Sequence, residues 1–218
     1  MKNLIIAPHP DDEILGLGGT IVKKSSKEKF GVLYVTSMVK NKNWSKKNIQ
    51  NRDKEIDSVK KFFRLEFVKK LDFPTSQLDM ISKYEIINKI NEVIKTFKPD
   101  RVFIPNPTDA HSDHKIVFDA SAACSKSFRN PFIKHWICYE VISETEQSLK
   151  NNFKPNYFVT LTKKQIEKKI KGFKIYKSEV GKFPFPRSKE SIIALSRYRG
   201  TSVNSEFAEA FCIKKMID

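Results

Sequence analysis

The chain has 218 residues, of which 39% are hydrophobic, 30% charged and 11% aromatic, enough to bury a core and too apolar for a disordered segment. Its 41 Lys and Arg against 25 Asp and Glu give a formal charge of +16, a field that attracts anions such as nucleic acid, an acidic membrane surface or a phosphorylated substrate; the lysines are scattered, so the competing reading is a set of solvated faces. Three widely spaced cysteines without a CxxC pair exclude a disulfide framework and a thiolate metal site, and no apolar run reaches the length of a signal peptide core or a membrane span, so a cytoplasmic protein is expected.

Leu4-Ile5-Ile6-Ala7 is a short apolar run of the kind that forms a buried parallel strand. Pro8 and Pro10 end it, and Asp11-Asp12-Glu13 open an amphipathic helix through Lys24, with acidic residues at the end where the helix dipole favours them. Gly16, Gly18 and Gly19 in that helix make sense only if it packs tightly on its neighbours. Phe30–Thr36 predicts a second strand, Asn48–Phe63 a helix, Leu65–Leu71 a strand, Tyr84–Phe97 a helix, Arg101–Ile104 a strand, Ala110–Cys124 a helix and Trp136–Val141 a strand. This rhythm means right-handed βαβ units and an open, mostly parallel α/β sheet with helices on both faces. The C-terminal part is mixed: a strand at Tyr157–Leu161, helices at Lys164–Tyr176 and Lys189–Tyr198, and a last strand at Ala208–Ile213. Lys163, Lys164, Lys168, Lys169 and Lys171 have the spacing of an exposed helix face.

Ligands of open α/β sheets bind beyond the carboxyl ends of the strands. Two polar clusters stand there: Pro8-His9-Pro10-Asp11-Asp12-Glu13 and Asp109-Ala110-His111-Ser112-Asp113-His114, holding three of the four histidines. The carboxylates of the first occupy the helix start where a pyrophosphate would sit, which rules out a dinucleotide. Two imidazoles and one carboxylate make a three-ligand site with a position left for water; zinc suits it best, with iron, cobalt or manganese as alternatives. Asp11 and Asp12 are adjacent and cannot point the same way, so one can bind the metal while the other faces the water as a base. Taken singly, Asp-Asp-Glu reads as a helix cap and each His as structural; the two clusters together point to a metal.

At these residues the chain resembles the LmbE-like, or PIG-L-like, family of N-acetylglucosamine deacetylases. The family's (A/P)HPDDE stands as Pro8–Glu13 and its HxDH as His111–His114; Arg52 and Glu55 on the helix after the second strand, and Ala208-Glu209-Ala210-Phe211 near the end, are similar as well. The resemblance implies one Rossmann-like domain over residues 1–218. It also implies zinc on His9, Asp12 and His114, with Asp11 as the base that takes a proton from the water and hands it to the leaving amine. His111, protonated, would stabilise the oxyanion, and Asp113 would hold His111 in its working tautomer. Arg52 would grip sugar hydroxyls or a phosphate, its alternative being a surface ion pair with Glu55. Tyr198 and Arg199 are substrate-facing candidates, their alternative being a basic helix end. Glu13 reads as a helix-start residue. Where some relatives carry a tyrosine two residues before the first His of HxDH, this chain has Asp109, which would support a ligand or cap the helix.

The expected function is zinc-dependent removal of an N-acetyl group from an aminosugar or its conjugate, nucleotide-linked, glycoconjugate or thiol-precursor; the positive charge favours an anionic substrate, and the oligomeric state is open. The alternatives are a nucleic-acid or anionic-surface binding protein on an idle α/β fold, for which no binding motif is present, and a metal hydrolase of another amide or an ester.

Overall fold

In a computed structural model, which describes residues 1–38, 44–150 and 153–218, strands and helices alternate much as the apolar periodicity requires. The order is β1 (Lys2–Ala7), α1 (Asp12–Lys24), β2 (Lys29–Ser37), α2 (Lys46–Phe63), β3 (Phe67–Pro74), α3 (Lys83–Phe97), β4 (Arg101–Pro105), α4 (Ser112–Cys124), β5 (His135–Tyr139), β6 (Tyr157–Leu161), α5 (Lys163–Phe173), α6 (Lys189–Thr201) and β7 (Phe207–Met216), with 3₁₀ turns at Leu78–Met80 and Lys177–Glu179. The sheet runs β3-β2-β1-β4-β5-β7-β6. The first five strands in this order are parallel; β7 is antiparallel to β5 and to β6.

Both faces of the sheet are covered, as the unbroken apolar runs demand. Leu4, Ile6, Val102, Ile104 and Trp136 pack into one core and Ile5, Ala7, Phe103, Ile137 and Tyr139 into the other, the period-two alternation of buried strands. The glycines of α1 permit close approach: a Cβ on Gly16 would stand 2.5 Å from the Tyr139 ring, and one on Gly19 2.3 Å from Leu161. Cys138 and Cys212, remote in sequence, are cross-strand partners of β5 and β7, and all three cysteines are free. Among the described residues no helix is long and apolar enough to cross a membrane.

Three sequence expectations shift. Leu65 belongs to the end of α2, not to β3: Arg64 takes the left-handed conformation (φ 56°), and the Leu65 amide closes back on Lys60 O at 2.9 Å, a Schellman-type stop that buries the leucine. Helix α5 ends at Phe173 rather than Tyr176, because Ile175 and Tyr176 donate to carbonyls three residues back and unwind the chain. Lys169 is not on an exposed face. It is buried with its ammonium 2.7 Å from Glu209 Oε1 and 2.7 Å from Leu15 O. Glu209 also accepts from the amides of Gly19 and Thr20 and from the Thr20 hydroxyl, so one carboxylate pins α1, α5 and β7 together. Glu209→Ala would strand the Lys169 charge and two helix amides. It should lower unfolding free energy by about 3–5 kcal/mol, read from urea melts; a change within about 0.5 kcal/mol, the usual scale for inert surface substitutions, would show that the pin contributes nothing.

Candidate active site

The strand order reverses direction between β1 and β4, and at such a switch point the loops leaving the two carboxyl ends splay apart to form a crevice. Those loops carry the two polar clusters. The first is tied down by Thr36 of β2, whose amide and hydroxyl both donate to Pro8 O, at 3.0 and 2.8 Å. The second is tied by Asn106, which donates to Thr108 and Asp109, and by Glu144, which accepts from the His111 amide.

The crevice brings His9, Asp12 and His114 together, one potential ligand atom from each lying within 4.8 Å of the others. His9 Nδ1 lies 3.5 Å and His114 Nε2 3.4 Å from Asp12 Oδ2. Donors on bonds of about 2.0–2.1 Å around a tetrahedral ion stand about 3.3–3.4 Å apart, so these separations fit a cation between them. The outer nitrogens are already engaged. His9 Nε2 donates to Asp113 Oδ2 at 2.9 Å and His114 Nδ1 to Asp109 Oδ2 at 2.8 Å, which leaves a lone pair on the inner nitrogen of each ring. His114 is 1% exposed, and its Nε2 has no hydrogen-bond partner among the described residues; an orphaned inner nitrogen beside a carboxylate suits a metal. His9, His111 and Asp113 form a second group within 4.8 Å. Several of its atoms are already engaged: Asp113 Oδ2 accepts from His9 and from the Ser76 amide, and His111 Nδ1 accepts from the Asp113 amide.

The electrostatics agree. Burial disfavours charge on both imidazoles, yet Asp113 and Asp12 raise His9 to about 9, and Asp12 and Asp109 raise His114 to about 10. Asp12 is held below the ordinary carboxylate range, since the two imidazoles outweigh its burial. The cage therefore demands positive charge, and protons fill that role where a metal does not.

Asp11 is buried beside this group but turned away from it. Its backbone sits at φ 138°, ψ −29°, a region non-glycine residues rarely enter, at a cost of about 1–3 kcal/mol. The strain separates the two adjacent carboxylates, sending Asp12 to the imidazoles and Asp11 to the crevice. Glu13 holds it: Glu13 Oε2 accepts from the Asp11 amide at 3.0 Å, while Oε1 accepts from the Tyr176 hydroxyl at 2.7 Å, itself 3.0 Å from the Tyr34 hydroxyl. Burial raises Glu13 to about 7. Burial, then Asp12 and Glu179, hold Asp11 well above the usual carboxylate range.

A cavity of about 210 Å³ opens on these groups, lined by His9, Asp11, Asp12, His111, Trp44, Arg52 and Arg187 among others. Three expectations need correction. The Asp113 carboxylate does not touch His111; it orients His9, and the Asp113 amide is what contacts His111 Nδ1, because His111 caps α4. The protonated form expected of His111 is disfavoured in the metal-free site, where burial, then His9 and His114, lower it to about 4. Tyr198 and Arg199 do not reach the cavity. They line a neighbouring depression, Tyr198 64% exposed and Arg199 clamped on Glu140 at 2.9 and 2.6 Å. Arg52 does line the cavity, but its guanidinium is committed to Pro10 O, Ser178, Glu179 and Glu55. Asp109 accepts from the His114 imidazole. The sequence reading missed Tyr176, Glu179 and Arg187, which reach the site from an irregular stretch where no periodicity marks inward-facing positions.

A diacetylchitobiose deacetylase of Thermococcus kodakarensis is 25% identical over 220 residues, covering 95% of this chain and 81% of that protein. A conserved protein from Thermus thermophilus superposes with a TM-score of 0.79 at 24% identity, over 99% of this chain and 95% of that one. The N,N'-diacetylchitobiose deacetylase of Pyrococcus horikoshii, solved with an inhibitor, superposes with a TM-score of 0.75 at 22% identity, over 98% of this chain and 84% of that one. At these identities the two structures establish a shared fold. Residues 4–125, more than half the chain and spanning both polar clusters, match the family described as PIG-L: GlcNAc-PI de-N-acetylase, and the chain belongs to that family.

Proposed function

We propose that the protein is a zinc-dependent hydrolase that removes the acetyl group from an N-acetylated aminosugar, working as one domain over residues 1–218. The observation that carries this reading is the pairing of a buried, cation-demanding His9–Asp12–His114 cage with a separate carboxylate, Asp11, that faces the cavity beside it. A mixed nitrogen and oxygen donor set at tetrahedral spacing favours zinc over harder ions. A divalent ion held by His9, Asp12 and His114 would supply Lewis-acid polarisation of the acyl oxygen and would lower the pKa of water toward neutral.

The chain's own residues do the rest. Asp109 and Asp113 fix the tautomers and tilts of His114 and His9. Asp11 takes a proton from the attacking water as its oxygen bonds to the acyl carbon. It delivers that proton to the sugar nitrogen as the carbon–nitrogen bond breaks, leaving a carboxylic acid and an amine. A base for this task works best near the operating pH, and the surroundings of Asp11 shift it that way. His111 acts neutral: with Nδ1 accepting from the Asp113 amide, its proton sits on Nε2, a donor for the acyl oxygen as negative charge builds there. Arg52 builds the wall, tying the Pro10 carbonyl of the first loop to Ser178 and Glu179 of the C-terminal part.

The test is a panel of N-acetylated aminosugars, free, oligomeric and nucleotide-linked, with zinc-loaded protein and free amine as the readout. Amine release with matching acetate from at least one is expected. No release from any, or hydrolysis confined to esters, would contradict the reading.

A further inference from the structure

Arg187 lies in the Phe-Pro-Phe-Pro-Arg segment before α6 and lines the cavity beside Asp11. Its NH1 stands 3.6 Å from Asp11 Oδ2 and its NH2 3.3 Å from Glu179 Oε2. Both are ion-pair distances, and neither contact meets hydrogen-bond geometry. Its Nε is buried without a hydrogen-bond partner among the described residues. The Arg187 guanidinium carbon lies over the Phe185 ring, 5.3 Å from its centroid, a cation–π contact. The contrast with Arg52 is sharp, since Arg52 spends its donors on a carbonyl, a hydroxyl and carboxylates of the protein. An arginine carries five N–H donors; among the described residues those of Arg187 make ion-pair contacts only.

Resting on the deacetylase reading, we propose that Arg187, with Glu179, is the pair that reads the substrate, by binding an uncharged hydroxyl of the sugar. A hydroxyl both accepts and donates, so it can take an N–H of Arg187 and give its proton to Glu179 in one planar contact. A fully ionised carboxylate or phosphate has no proton to give Glu179 and cannot. With a divalent ion in the cage and Asp11 ionised, Arg187 faces the carboxylates of Asp11 and Glu179, and among the described residues the cavity wall sets three cationic side chains, Arg52, Lys70 and Arg187, against five carboxylates, so the ion's two charges bring the wall to balance and not to a positive excess. Among the described residues the +16 of the whole chain is thus not focused on the cavity, and the substrate group assigned to Arg187 is neutral. This makes Arg187 a specificity-determining residue.

The experiment compares zinc-loaded wild type, Arg187→Met and Arg187→Lys on N-acetylglucosamine, its monodeoxy analogues and its phosphate esters. Turnover and calorimetric binding are both measured, with Tm and zinc content as controls on folding. Wild type should lose about 10–100-fold in kcat/KM on one deoxy analogue. Arg187→Met should lose as much on the parent sugar, mainly through KM, and no longer distinguish parent from that analogue; Arg187→Lys should recover part of the difference. Unchanged discrimination in a folded Arg187→Met protein, or wild-type preference for the phosphate esters, would overturn the assignment. Sugar binding that depends on Arg187 without acetate release would retain it and defeat the deacetylase reading instead.

Discussion

Asp11→Asn should lower kcat by about 10²–10⁴, the range set by loss of a general base, while zinc still binds at wild-type stoichiometry. Asparagine is nearly isosteric and, like aspartate, tolerates positive φ, so the strained backbone and the Glu13 Oε2 contact to its amide are retained. Only the proton acceptor disappears. Stability should move the other way. In metal-free protein a carboxyl held above its unfolded value stabilises the fold while protonated, and that contribution is lost as pH rises through its folded value. The Asn variant has no such proton to lose. Its Tm should match or exceed that of wild type at neutral pH, with the difference shrinking on acidification. Activity lost with zinc and Tm intact places the defect in proton transfer; an active Asp11→Asn protein would remove Asp11 from the mechanism.

The second large effect is expected at the cage itself. Asp12→Ala removes the carboxylate that both inner nitrogens face. Zinc content should fall to background, with turnover at the level of the metal-stripped wild type. The supporting carboxylates should give a graded result: Asp109→Ala frees the His114 ring to tilt and should weaken zinc binding about 10–100-fold without abolishing it. Because His9 and His114 hold protons in the metal-free cage, zinc uptake at neutral pH should release protons and weaken as pH falls. Calorimetry in two buffers of different ionisation heat reads this directly. Equal zinc affinity in Asp12→Ala and wild type would show that the metal sits elsewhere.

Most of the sheet was legible because its strands are apolar runs bounded by Pro, Asp and Gly, and its helices carry clean 3.6-residue faces. The ends of β3 and α5 were not, since a left-handed stop at Arg64 and the unwinding after Phe173 depend on backbone geometry that composition does not mark. The cage was legible for a different reason. Both clusters are contiguous in sequence, so His9, Asp12 and His114 needed only two loops to meet. What orients them was not legible: each imagined relationship within a motif, such as Asp113 with His111, competed with a cross-loop one, Asp113 with His9, which the fold chose. Lys169 shows the same limit, a lysine at an exposed spacing drawn inward by a carboxylate forty positions away. Arg187 lay beyond reach altogether, on a proline-punctuated segment with neither periodicity nor motif.

The central claim is that the His9–Asp12–His114 cage holds the metal that makes this chain an aminosugar deacetylase. Its most direct test follows acetate release from N,N'-diacetylchitobiose and N-acetylglucosamine conjugates before chelation, after chelation and after one equivalent of zinc is returned. Activity that vanishes with the metal and returns at about one zinc per chain, in wild type but not in Asp12→Ala, is the predicted result. Acetate release that persists in chelated protein, or that zinc restores equally in Asp12→Ala, would contradict it.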